Sequence, residues 1–213
     1  MAADSARLAD ARLYLVTGAH TDDRVLGEAL AGGVDVLQLR EKDASDDAIL
    51  AAARRFRALC DEHGALFVLN DRPDLAKAAR ADGVHVGQND APADAVRELL
   101  GDDVLIGVST HSRDQLGHAL ATDADYVCVG PVFATPTKPD YPAVGLGLVE
   151  HAAATVERPW FAIGGIDGTN VADVAASGAR RVVIVRAVQD APDPRVAAAG
   201  LRAVLEEAAE RGE

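Results

Sequence analysis

The residues best suited to chemistry are the cations and carboxylates that close short apolar runs. The densest group is Gln38-Leu39-Arg40-Glu41-Lys42, which follows Val34-Asp35-Val36-Leu37. Such a β-branched apolar run reads as a buried strand. Side chains alternate along a strand, so Gln38, Arg40 and Lys42 share one face and Leu37, Leu39 and Glu41 the other. Arginine forks to two oxygens and lysine adds a point charge, so the first face suits a phosphate or diphosphate. The same letters also fit a strand that runs into solvent, with Arg40 to Asp43 as a wet charge run.

Other strand ends weigh on that choice. Asp71 closes Leu66-Phe67-Val68-Leu69-Asn70, and Asp90 follows Gly83-Val84-His85-Val86-Gly87. Two carboxylates without His or Cys partners suit Mg²⁺, which keeps several waters and takes further oxygens from a substrate phosphate. Taken singly, Asp71 also fits a turn before Arg72-Pro73, and Asp90 an N-cap before Pro92. Gly164-Gly165 offers backbone N–H groups to an anion, or forms a tight turn. Ser109-Thr110-His111 has no partnered nucleophile, so a Ser-His-Asp hydrolase is excluded as the leading reading. His85, inside an apolar run, reads as a hydrogen-bonded core residue.

The elements that must position these groups alternate along the chain. Strands are expected at 12–18, 34–41, 66–71, 83–87, 104–109, 125–130, 159–165 and 181–185, with Ala/Leu-rich amphipathic runs between them. Ser45 caps and Gly64 stops the helix between the second and third strands, and Pro73 opens a short helix after the third. The stretch 131–147 is the longest irregular one. Eight β/α units in 213 residues predict a single (β/α)₈ TIM barrel, preceded by a polar extension over residues 1–10. A dinucleotide fold has no G-x-G-x-x-G to support it.

Composition sets the frame. A net charge of −13 excludes an extended nucleic-acid surface and makes Arg40 and Lys42 a local positive spot. Hydrophobic residues at 49% and charged ones at 26% describe a soluble globular chain with no membrane-spanning run. Cys60 and Cys128 read as buried thiols, since two cysteines make no disulfide framework. The N-terminus has no apolar signal segment, which predicts a cytoplasmic protein.

Six motifs in register carry a resemblance. They are Gln38-Leu39-Arg40-Glu41-Lys42, Leu69-Asn70-Asp71-Arg72, the run 83–88, Gly107-Val108-Ser109-Thr110-His111, the run 130–138 ending in Thr135-Pro136-Thr137-Lys138, and 162–166. Together they resemble the thiamin phosphate synthase family from Leu13 to about Val188.

The resemblance implies a transferase of thiamine biosynthesis. It would join hydroxymethylpyrimidine diphosphate to hydroxyethylthiazole phosphate, giving thiamin phosphate and diphosphate. It places Gln38, Leu39, Arg40, Glu41, Lys42, Asn70, Ser109 and Lys138 at the pyrimidine diphosphate, with Arg40, Lys42, Ser109 and Lys138 catalytic. Asp71 and Asp90 would hold one Mg²⁺ per subunit, and Thr135, Pro136, Thr137, Gly165, Val185 and Arg186 the thiazole phosphate. The implied mechanism is dissociative: diphosphate leaves first, the thiazole nitrogen then attacks a pyrimidine cation, and the long loop closes over the site. Two positions depart from the family pattern: Arg186 stands where Ser is usual, and Asn89 where an acid is usual. A thiazole tautomerase relative and a non-catalytic precursor-binding barrel are the alternatives. Neither needs Lys42, Asp71, Asp90 and Lys138 together.

Overall fold

The computed structural model describes residues 2–135 and 142–211. Eight parallel strands close into a barrel in the order β1 to β8, with β8 paired back onto β1. They are β1 Leu13–Thr17, β2 Val36–Leu39, β3 Leu66–Asn70, β4 Gly83–Val86, β5 Leu105–Thr110, β6 Tyr126–Val129, β7 Trp160–Ile163 and β8 Val182–Ile184. The helices are α1 Ala2–Asp10, α2 Asp23–Ala31, α3 Asp46–His63, α4 Ala76–Ala79, α5 Ala93–Leu100, α6 Arg113–Leu120, α7 Leu146–Thr155, α8 Val171–Ala176, α9 Arg186–Gln189 and α10 Pro194–Arg211.

Local chemistry sets several boundaries as the sequence suggests. Ser45 accepts a hydrogen bond from Ala48 N at the start of α3, and Gly64 ends that helix at φ 69°. Pro73 opens a 3₁₀ turn, Pro73–Leu75, that leads into α4. Two elements were not expected. The polar extension is helical from Ala2 to Asp10, and one turn of helix, α9, follows β8 directly.

Strand alternation divides the core into two layers. Leu13, Leu15, Leu37, Leu39, Val84 and Val127 face outward and pack with the helices. Tyr14, Val16, Val36, Leu66, Val68, Leu105, Tyr126, Cys128, Phe161 and Val183 fill the barrel. Leu8 and Ala11, on α1 and just after it, join that inner layer beneath the N-terminal strand ends. Cys60 and Cys128 are both buried free thiols.

Three carboxylates latch the floor. Asp35, Asp82 and Asp125 each stand immediately before an even-numbered strand and accept an N–H from the preceding odd one, at Leu13, Phe67 and Ile106. Each also pairs with a helix arginine: Arg202, Arg57 and Arg97 respectively.

Candidate active site

β2 delivers its side chains as alternation requires. Gln38 points inward and is buried, donating Nε2–H to the Tyr14 hydroxyl at 2.5 Å. Arg40 lies just past the strand end, where its N–H still pairs with Thr17 O, and its side chain lines a cavity of about 350 Å³. Lys42 is exposed and outside the cavity wall, yet near enough for its charge to act on Asp71.

Leu39 and Glu41 stand apart from this group. Leu39 is wholly buried between barrel and helices, so its side chain cannot reach a ligand in the barrel mouth. Glu41 turns to the neighbouring loop and accepts from Ala19 N. Arg55, on α3, holds the carbonyls of Ala19 and Thr21 in the same loop. The resemblance places both residues among the ligand contacts, whereas strand alternation turns their side chains to the face away from Gln38 and Arg40. The structure gives Leu39 to packing and Glu41 to bracing the segment that carries Arg40 and Lys42.

β3 and β4 supply the carboxylates. Asp71 follows β3 in the left-handed region at φ 58°, a conformation aspartate tolerates better than most residues. It does not take the cap place of the 3₁₀ turn, which falls to Arg72, and Arg72 pairs with Asp46 and Asp74. Asp90 does not cap α5 either, because Pro92 occupies that place. Its Oδ2 reaches back to accept Gly87 N at 2.7 Å, inside a turn where a side chain on Gly87 would collide with that oxygen.

The two carboxylates meet. Partial burial and then the adjacent Asp90 carboxyl push the Asp71 carboxyl up to about 6, with the Asn70 amide and the Lys42 charge pulling the other way. Two crowded carboxylates of this kind suit a hard cation between them. No group of three or more His, Cys, Asp or Glu side chains placed to hold a metal occurs among the described residues. A Mg²⁺ ion here would therefore take its remaining oxygens from water or substrate. Beside the pair, the Asn70 side chain is buried, lines the cavity and sits close enough to Asp71 to act on its carboxyl.

The far wall comes from β7 and β8. Gly164 and Gly165 have φ 106° and 65°, and a Cβ on either would strike the loop after β6, at Pro131 or Phe133. That tight passage brings their backbone to the cavity with Ile166 and Asp167. Val185, Arg186 and Ala187 also line it. In α9 the first carbonyl used is Val185 O, which accepts from Val188 and Gln189. Helix geometry leaves the N–H groups of Arg186 and Ala187 ahead of that ladder, at the cavity wall. Thr135 lines the cavity as well, whereas Pro136, Thr137 and Lys138 lie outside the described residues. The loop roots on either side are tied together by Val144 N to Pro131 O at 2.8 Å and Gly145 N to Val132 O at 3.1 Å.

Ser109 and His85 meet on the near wall, His85 Nε2 lying 2.8 Å from Ser109 Oγ. His85 is thus hydrogen-bonded in the core, as its apolar context suggested. The sequence reading passed over Tyr14 and Tyr126, whose hydroxyls are 3.0 Å apart beneath the cavity. Their tyrosine identity at inward strand positions, where an apolar residue would fill the space, was the available signal.

A closed barrel with its polar side chains collected over one cavity, at the C-terminal rim of the strands, has the architecture of a (β/α)₈ enzyme. Comparison with known proteins narrows this. The family described as thiamine monophosphate synthase matches residues 13–188. A thiamine-phosphate synthase of Acidothermus cellulolyticus is 50% identical over 96% of this chain and 99% of its own. One of Thermobifida fusca is 52% identical over 95% and 96%. Among solved structures, a thiamine phosphate pyrophosphorylase from Pyrococcus furiosus superposes with a TM-score of 0.86 at 32% identity, covering 96% and 98% of the two chains. A 3-hexulose-6-phosphate synthase, at 19% identity and TM-score 0.65, shares the fold. The chain belongs to the thiamine monophosphate synthase family, a family of transferases.

Proposed function

We propose that the chain joins hydroxymethylpyrimidine diphosphate to hydroxyethylthiazole phosphate, releasing diphosphate and giving thiamin phosphate. The observation that carries this reading is the meeting of Asp71 with Asp90 beside a cavity wall of Arg40, Asn70 and Ser109, facing the backbone of Gly164 to Asp167 and Val185 to Ala187. One wall suits a diphosphate and the other a second, smaller anion. The names of the relatives support the product, thiamine phosphate, and the two substrates are those that the sequence resemblance implies.

In the reaction the pyrimidine carbon–oxygen bond breaks and its electron pair leaves with diphosphate. The thiazole nitrogen lone pair then forms the new carbon–nitrogen bond. Arg40 and Lys42 would meet the charge that collects on the departing oxygens, and the buried Asn70 amide would add a donor at the cavity wall. Asp71 and Asp90 would hold Mg²⁺, which supplies further neutralisation of the diphosphate. The far wall would fix the thiazole by its phosphate, so that the two rings face each other across the cavity. No covalent nucleophile is needed. Arg186 is exposed at the rim, where a guanidinium in place of the usual Ser adds a charged donor for that phosphate.

The test is diphosphate release with both substrates, each alone, and with EDTA. Release that requires both substrates and Mg²⁺ is expected. Equal turnover in EDTA, or release without the thiazole, would overturn the reading.

A further inference from the structure

Two residues that the resemblance places at the pyrimidine, Gln38 and Ser109, are joined below the cavity by three polar side chains that no step above uses. Gln38 Nε2 lies 2.5 Å from the Tyr14 hydroxyl, and that hydroxyl 3.0 Å from the Tyr126 hydroxyl. Tyr126 is 3.2 Å from His85 Nδ1, and His85 Nε2 is 2.8 Å from Ser109 Oγ. All five residues are buried, and the two at the ends, Gln38 and Ser109, line the cavity with His85 and Tyr14. Tyr126 lies beneath them, seated against Gly107, where any Cβ would fall 2.0 Å from its Cζ. Burial holds both tyrosine hydroxyls far above their ordinary pKa, so each remains an O–H with one proton to give.

These contacts cannot be oriented independently. Gln38 Nε2 can only donate, so the Tyr14 proton is free to go to Tyr126 and the Tyr126 proton to His85 Nδ1. A neutral imidazole that accepts at Nδ1 carries its proton on Nε2 and donates it to Ser109 Oγ. The Ser109 proton is then turned away from His85. Reversing Gln38 would reverse every member, since a buried hydroxyl left without a partner is destabilising.

We propose that Gln38, Tyr14, Tyr126, His85 and Ser109 form one polarised hydrogen-bond chain that gives the cavity an acceptor at Gln38 Oε1 and a donor at the Ser109 hydroxyl. Tyr14, Tyr126 and His85 are positioning residues. The chain selects a flat ring that offers an amine hydrogen to Gln38 and an acceptor to Ser109, and it rejects the same ring with a carbonyl in place of the amine. The polarity stands on the contacts alone; the identification of that ring as the aminopyrimidine rests on the proposed function.

The first test reads the imidazole nitrogens of His85 by NMR, in full-length protein labelled with ¹⁵N-histidine and assigned through His85→Asn. Without substrate, near neutral pH, His85 is expected in the Nε2–H form. The Nδ1–H form would overturn the proposal. Gln38→Glu supplies an ionised group that only accepts, so Tyr14 must donate to it and His85 must switch to Nδ1–H, although His85 does not hydrogen-bond to residue 38. An unswitched histidine beside a carboxyl shown by its ¹³C shift to be ionised would overturn it too. The second test compares binding of hydroxymethylpyrimidine diphosphate with that of its carbonyl counterpart. Tyr126→Phe keeps the ring beside Gly107 and is expected to cut the preference for the amine about tenfold. An unchanged preference would remove the chain from substrate selection. If the unsubstituted protein binds neither pyrimidine, the proposed reaction fails, and the histidine spectra still decide the polarity.

Discussion

Asp71 concentrates what a single residue contributes to this site. It is held at φ 58° and pressed against Asp90, two unfavourable circumstances that a cation between the carboxylates would offset. A carboxyl raised to about 6 binds its proton more tightly folded than unfolded. Its contribution to stability is therefore fully present below the unfolded value near 4 and is lost as pH rises through 6. Asp71→Asn keeps the tolerance for positive φ and removes one of the two like charges. Activity with Mg²⁺ should fall about a hundredfold or more, as expected when an electrostatic contact to the leaving group is lost. Thermal unfolding without Mg²⁺ at pH 7 should occur at the same temperature or higher. A lower melting temperature in the metal-free variant would show that Asp71 is structural. Gln38, Arg40, Asp71 and Asp90 were legible in the sequence because strand alternation and strand ends locate them. The bracing role of Glu41 was not, because its partner Ala19 lies on another strand's loop and only the β1–β2 register brings the two together.

At the scale of elements, the eight strands and most helices follow from periodicity, caps and turn residues. What the sequence hid is how the strands are pinned. Asp35, Asp82 and Asp125 read as ordinary polar residues at loop ends, yet each joins two strands and a helix. The position equivalent to these before β8 holds Arg181, whose NH2 donates to Ala9 O and whose Nε is buried with no partner among the described residues. Desolvation lowers its pKa, so this corner of the barrel floor holds a partly desolvated guanidinium where the others hold an ion pair. The latches should differ in weight. Arg57 is 9% exposed and Asp82 18%, whereas Arg202 and Asp35 are 29% and 26% exposed. Removing one partner of a buried pair leaves an uncompensated charge and costs about 3–5 kcal/mol. Asp61 also pairs with Arg57, which puts Asp82→Ala at the lower end, about 3 kcal/mol. Asp35→Ala should cost less, because solvent screens the arginine left behind. Urea unfolding of the two variants checks the order, and equal losses would mean that the shared strand N–H bonds, not the ion pairs, set the cost.

Across the whole molecule, the two ends of the barrel divide the work. The C-terminal rim gathers Arg40, Asn70, Asp71 and Asp90 and tolerates a like-charge pair and a positive-φ aspartate. The N-terminal end is closed by α1, with Leu8 2% exposed against the inner layer and Arg7 donating to Gly64 O. Nothing in the polar composition of residues 1–10 marked this role, since one leucine carries it and its contacts come from strands distant in sequence. Truncating a buried leucine costs about 2.7–5 kcal/mol, and less where a short terminal helix can relax into the space. For Leu8→Ala we expect about 2–3 kcal/mol. In a chain of this length that corresponds to roughly 4–12 °C in melting temperature. Because the cavity opens at the opposite end, KM for both substrates should not change. The layer between the two ends is where this separation is exposed to test. Tyr14 and Tyr126 belong both to the packed interior and to the polar contacts under the cavity. A shift in KM for the pyrimidine alone in Leu8→Ala would mean that loosening the floor reaches Gln38 through these two rings. An unchanged KM alongside the loss of stability would show that the inner layer keeps the two ends independent.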